Sequence, residues 1–180
     1  MNRAVLLVAI CAAIVGVSYG MHSPIVPVFA RDQLAADYSQ VGIIGTVNFL
    51  PYMFAPFFVG MLLDRLNKSY MLVAGMLLNV FAIFMLSTAQ SVPEVMIYRL
   101  LAGIAHALFW PSAEVLISTN SPPDKRVKGI STFIAAWILG FMGGPLIGKL
   151  VLDAFDFVML FQIAAIVMAA GIVPSVILRR

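Results

Sequence analysis

Residues Tyr70 to Gln90 read YMLVAGMLLNVFAIFMLSTAQ, and within this run Asn79 is the one polar side chain between Met71 and Leu86. A bilayer's hydrocarbon core is crossed by about 20 apolar residues in one helix. A helix that is apolar all round has no face to offer water, so this stretch predicts a membrane span. Working outward, five further apolar runs give six expected helices at roughly 4–29, 40–63, 70–90, 93–118, 128–150 and 156–178. Charged or polar groups punctuate them: Arg31 to Asp37, Asp64 to Lys68, Gln90-Ser91, Ser121 to Arg126, and Asp153 to Asp156. The connections are short, so neighbours should run antiparallel. The expected fold is an all-α membrane protein, a single six-helix transmembrane domain over 1–180.

Composition supports this reading. Hydrophobic residues make up 62% of the 180, charged residues 11%, and the mean hydropathy is +1.03. Soluble domains carry about 25% charged residues because their surface must be wetted. The net charge of +3 does not signal nucleic-acid binding, since the basic residues flank apolar runs instead of forming a platform. Cys11 is the sole cysteine, which excludes an intrachain disulfide and a cysteine-based metal site. No metal or cofactor is expected. The stretch from Ala4 to Met21 is longer than the ~7–15-residue core of a signal peptide, and bulky Ile10 before Cys11 argues against a lipoprotein site. We read it as the first span.

The basic residues also orient the bundle. Arg3, Arg65, Lys68, Lys125, Arg126, Lys128, Arg179 and Arg180 fall on one side, against Arg31 and Lys149 on the other. By the positive-inside rule the first side is cytoplasmic, with both termini there. The expected location is the cell (inner or plasma) membrane, multi-pass and in contact with lipid.

Polar groups inside a span need a reason, because leaving them in hydrocarbon is costly. The fourth helix carries the most. At about 100° per residue, Arg99, Gly103, His106, Trp110 and Glu114 share one face. A cation, an imidazole, an indole and a carboxylate in a stripe must line a cavity or an interface. Individually each has a plainer reading: Glu114 as a solvated end group, His106 as a histidine satisfied by a backbone carbonyl. Arg99 resists one, being always charged and about a turn and a half inside. The first helix adds Ser18, Tyr19 and His22, with Pro24 and Pro27 distorting its outer end, and the second adds Asn48 and Tyr52. The third and sixth have little beyond Asn79 and Gln162, so they are expected to face lipid. In the fifth, Gly140, Gly144 and Gly148 at four-residue spacing form a flat ridge beside Gly143 and Pro145. Such a ridge admits another helix at close range, and Pro145 predicts a kink.

At these residues the chain resembles a known family. Gly60-Met61-Leu62-Leu63-Asp64-Arg65-Leu66-Asn67-Lys68 resembles the signature loop between helices 2 and 3 of the major facilitator superfamily. Arg99-Leu100-Leu101-Ala102-Gly103 resembles its helix 4 motif. The run Gly140 to Gly148, and Pro24-Ile25-Val26-Pro27, resemble motifs of the drug:proton antiporter branch. Asn67 stands in place of the loop glycine and is expected to tolerate the same left-handed turn. Ser69 and Ala102 also depart from the pattern, and the first helix lacks an acidic residue.

The resemblance implies a half-bundle of 3+3 inverted repeats, one of two six-helix halves with a small-molecule substrate held between them. Arg99, His106, Trp110, Tyr19, His22, Asn48 and Tyr52 would line the cavity. Glu114, Asp64, Arg65 and Lys68 would serve proton movement or gating, and Gly140, Gly144, Pro145 and Gly148 helix packing. A parallel two-fold homodimer would complete the transporter, with Asp64 meeting the partner's fifth helix near Gly129 and Ser131. The alternatives are an inactive fragment or one subunit that needs a different second half. An intramembrane serine protease fits poorly, since Ser112 shares a helix with His106 and the sixth helix has no histidine. A channel or scaffold would give pore currents or no flux.

Overall fold

The computed structural model describes residues 3–177. Among them run eight α-helices: α1 (Arg3–His22), α2 (Val26–Leu34), α3 (Tyr38–Arg65), α4 (Lys68–Leu86), α5 (Val92–Asn120), α6 (Arg126–Ala154), α7 (Phe157–Ala170) and α8 (Ile172–Ile177). A 3-10 turn at Pro123–Lys125 precedes α6. Five stretches are long and apolar enough to cross a membrane: Arg3–Leu34, Lys68–Leu86, Val92–Asn120, Pro123–Ala154 and Phe157–Ile177. The helix α3 makes a sixth when its arms Tyr38–Ala55 and Phe57–Arg65, bent by 54°, count as one span. The bend falls between Ala55 and Phe57. Arg179 and Arg180, used above for orientation, lie outside the described residues.

Local chemistry sets the helix limits. The run expected at 4–29 is interrupted after His22, and α2 takes Pro27 in its first turn, where the absent N–H costs nothing. α2 closes through Ala35 in the left-handed region (φ 52°), with Ala36 N donating to Ala30 O at 2.9 Å. Asp37 and Gln40 form a reciprocal capping box on α3, at 2.8 and 2.9 Å. Asn67 does not take the left-handed turn expected of it. Its backbone is extended (φ −67°, ψ 122°), and its side chain accepts from Ser69 N at 2.9 Å, so it caps α4. Asp156 caps α7 through Met159 N at 2.8 Å.

Packing rests on places where backbones touch. Gly16 and Gly20 of α1 face Gly140, Gly144 and Gly148 of α6. A methyl group on Gly140 would strike Ala13 O, one on Gly144 the Cα of Gly20, and one on Gly148 Met21 O. In return, a methyl on Gly16 would meet Trp137 O and one on Gly20 would meet Phe141 O. The glycine ridge is therefore filled by α1 of the same chain. Pro145 lies inside a helix that runs unbroken to Ala154, against Gly20. On the outer side of α6, Leu139, Met142, Leu146 and Leu150 are exposed.

α5 is held the same way on two sides, with Gly75 of α4 against Ala105 O and Gly103 against Asn48 O of α3. One apolar cluster, including Leu72, Met76, Phe109, Ile117, Phe133 and Met168, fills the space between α1, α4, α5, α6 and α7. A second, with Phe29, Leu86, Val95, Leu160 and Phe161, seals the end under α2.

The two adjacent glycines of α6 separate these effects. Gly144→Ala forces the α1–α6 backbones apart and should lower stability by about 1–3 kcal/mol. Nothing lies within 4 Å of a methyl on Gly143, so Gly143→Ala should be neutral or stabilising by up to about 1 kcal/mol. Thermal unfolding in detergent measures both, and equal shifts would contradict the close contact.

Candidate functional site: a polar cluster around Tyr19

The crossing of α1 and α6 delivers Tyr19, next to Gly20, into the bundle interior, where five helices bring polar groups to it. Asn48 Nδ2 of α3 donates to Tyr19 Oη at 3.2 Å. The His106 ring of α5 stands edge-on to the Tyr19 ring at 4.9 Å, and His22 does so at 5.6 Å. Arg99 holds its guanidinium carbon 6.0 Å from the Tyr19 ring centre, within reach of the ring quadrupole. On the α6 side Trp137 stacks on Phe141 at 5.2 Å, and both rings lie within 6.4 Å of Tyr19.

Hydrogen bonds fix the two histidines. His106 Nδ1 lies 2.9 Å from Ala102 O, and His22 Nδ1 lies 2.6 Å from Ser18 O. A carbonyl can only accept, so both rings carry the proton on Nδ1 and present Nε2 as an acceptor when neutral. Asn79 Nδ2 sits 3.5 Å from the same His106 nitrogen. A nitrogen that donates cannot also receive an N–H, so the Asn79 amide fits better turned, with its oxygen toward the ring.

Arg99 donates through Nη2 to Ser23 Oγ at 3.2 Å, while its Nε and Nη1 have no partner among the described residues. The same holds for Nε2 of His22 and His106, Oδ1 of Asn48 and Asn79, and Nε1 of Trp137. Arg99 is only 4% exposed and carries no carboxylate partner among the described residues. Buried polar atoms are nearly always hydrogen-bonded. Here donors on Arg99, Trp137 and the turned Asn79 amide, and acceptors on both histidines and Asn48, converge on one region. Such a set suits a small solute with an anionic or amphipathic character.

The fourth-helix stripe divides. Arg99 and His106 enter the cluster, and His106 is indeed held by a carbonyl. Gly103 is a contact with α3 instead of a cavity wall. Trp110 Nε1 donates to Glu114 at 2.9 Å, and its ring meets Phe133 at 4.9 Å and Trp137 at 5.4 Å. Tyr52 is 37% exposed and pairs with Phe49, yet it stands close enough to Tyr19 and Arg99 to interact electrostatically with both, at the edge of the cluster. Asp64 and Arg65 are exposed at the end of α3, and Lys68 opens α4. A cavity of about 570 Å³ between α3 and α5 touches Arg65 but is otherwise apolar, with Phe54, Phe58 and Ile104 among its walls, and holds none of the polar cluster.

The structure adds Asn79, Ser23, Trp137 and Phe141. Asn79 was visible as a lone amide in an apolar span. Nothing in the spacing of the others tells which neighbour they meet. No group of three or more His, Cys, Asp or Glu among the described residues is placed to hold a metal.

Comparison with known proteins agrees with this architecture. Residues 8–180 match the family model described as Major Facilitator Superfamily. Among curated proteins, the multidrug resistance protein MdtG of Proteus mirabilis is 27% identical over 157 residues, 85% of this chain and 39% of that protein. The quinolone resistance protein NorA of Staphylococcus aureus is 26% identical over 148 residues, 82% of this chain and 38% of that one. The chain thus spans about two-fifths of the length of the relatives it matches. Among solved structures, the peptide transporter POT in complex with sulfate shares the fold, with a TM-score of 0.86 at 20% identity over 99% of this chain and 38% of that one. With nearly its whole length matched, this chain belongs to the Major Facilitator Superfamily, a family of transporters and not of enzymes.

Proposed function

We propose that this chain is one half of a secondary transporter of small solutes, with the solute bound at the Tyr19 cluster. The observation that carries the reading is the convergence of unpartnered donors and acceptors from five helices on one buried region. A purely structural bundle gains nothing by burying an arginine whose Nε and Nη1 lack acceptors, because replacement by apolar residues is usually neutral or better. A binding site has a reason to keep it. The family makes transport the expected use, and the names of the relatives favour amphipathic drug-like solutes. Exchange for protons is what the resemblance of Gly140 to Gly148 and Pro24 to Pro27 to antiporter motifs implies. Glu114, bonded to Trp110 at the edge of the cluster, is the carboxylate best placed to carry a proton.

The second half is a parallel copy of this chain, both with cytoplasmic termini, each half a 3+3 inverted repeat, alternating by rigid-body rocking. Two exposed apolar faces support it, Phe49, Met53, Phe57 and Met61 on α3 and Leu139, Met142, Leu146 and Leu150 on α6. Exposed Asp64 would meet the positive start of the partner's α6 beside exposed Ser131 and act as a latch. The partial coverage of the relatives supports a different second half equally, and native mass spectrometry separates a dimer from a lone chain.

Arg99→Met tests the site. Thermal stability in detergent should hold or rise by about 1–4 kcal/mol. Affinity for an amphipathic anion should fall at least about tenfold, ~1.4 kcal/mol. Quenching of intrinsic fluorescence reads the binding, since both tryptophans, Trp110 and Trp137, border the cluster. Unchanged affinity, or a loss of stability alone, counts against the proposal. For the latch, Asp64→Asn should raise labelling of the cytoplasmic side of the cavity in the dimer. Unchanged labelling and flux would remove the latch.

A further inference from the structure

We propose a second binding site, for a phosphate group, where α1 begins, α5 ends and α6 begins. Val5, Ser121, Lys125, Lys128, Gly129 and Thr132 line a cavity there of about 220 Å³, together with Pro122. That is smaller than the roughly 300–1,000 Å³ of a drug-sized site, so it suits an anion of headgroup size.

Several features of different origin select an anion. The 3-10 turn Pro123–Lys125 runs directly into α6 with no side-chain cap at its start. The positive end of the stretch therefore lies at Pro122, a lining residue, with Asp124 the acidic residue of its first turn. Lys125 and Lys128 add two ammonium groups from the turn before α6 and from α6 itself. Ser121 is the decisive third element. It is 8% exposed, it lines the cavity, and its hydroxyl has no hydrogen-bond partner among the described residues. Its Oγ points at the first turn of α6, 3.4 Å from where a methyl group on Gly129 would stand.

The other groups nearby are accounted for. Thr132 Oγ1 is committed to Lys128 O at 2.8 Å. Asn120 Nδ2 occupies Leu116 O at 2.8 Å, which blunts the negative end of α5. Asp124 is exposed in the 3-10 turn and does not line the cavity. A hydroxyl, two ammonium groups and a helix N-terminus around one small volume match the charge and tetrahedral acceptors of phosphate. The phosphate can belong to an anionic lipid headgroup or be free in solution, since both present the same oxygens.

This site is separate from the Tyr19 cluster and does not rest on transport. It shares the start of α6 with the proposed latch, since Lys128 lies only about 60° around the helix from Ser131 and buried Gly129 lines the cavity.

The test uses the full chain in detergent, titrated with phosphatidylglycerol, phosphatidylcholine or inorganic phosphate. Native mass spectrometry and thermal unfolding are the readouts. If the source is lipid, phosphatidylglycerol adducts exceed phosphatidylcholine adducts, and inorganic phosphate does not displace them. If it is free phosphate, inorganic phosphate raises the unfolding temperature and the two lipids bind alike. In either case the effect should fall about fivefold for each of Lys125→Gln and Lys128→Gln. It should weaken in Ser121→Ala and persist in Lys149→Gln, a change at the opposite end of α6. Equal responses in wild type and all these variants would overturn the site. So would a loss in Lys149→Gln matching that in Lys128→Gln, because it would mean that only net charge is sensed.

Discussion

The fold turns on how closely α1 and α6 approach. Within a membrane, helices gain little by hiding apolar side chains from one another, because lipid is equally apolar. What remains is close packing, and the shortest approach is backbone on backbone. Gly16, Gly20, Gly140, Gly144 and Gly148 make that approach over about two turns, with carbonyls of Ala13, Met21, Trp137 and Phe141 lying where side chains would otherwise stand. The same device recurs at Gly75 and Gly103, which seat α5 against α4 and α3. The bundle is thus fixed by the absence of side chains at a few positions more than by the presence of large ones.

That constraint positions the chemistry. Tyr19 sits beside Gly20 in the tightest part of the crossing, and Trp137 and Phe141 flank the carbonyls that the α1 glycines meet. Gly103 lies one turn from Arg99 and about one from His106, and its contact with Asn48 O brings Asn48 to Tyr19. The rigid crossings hold polar groups from separate helices in one place without a loop. A site carried on helices is better defined than one carried on loops.

The energetics of the cluster run against stability. Arg99 keeps one hydrogen bond, to Ser23, and a distant ring face. Leaving a buried donor or acceptor unpaired costs about 1–3 kcal/mol, more for a charged group. A bundle bears such a cost where function needs it, and the apolar clusters on either side of the site supply the compensating packing. The exposed apolar faces of α3 and α6 are of another kind, since lipid or a second bundle can cover them without any unpaired group.

Much of this was legible in the chain. Apolar runs of span length, the scarcity of charge and the polar stripe on one helix determined an all-α membrane bundle, and Arg99, His106, Tyr19, His22 and Asn48 stood out as polar groups that lipid cannot accept. Those inferences need only the energetics of a side chain in hydrocarbon. Which helix fills the ridge of Gly140, Gly144 and Gly148, whether Gly103 and Tyr52 face the site, and that Asn79 and Trp137 join it, depend on which faces of different helices meet. Periodicity along one helix defines a face but says nothing of its neighbour, so only the tertiary structure could decide them.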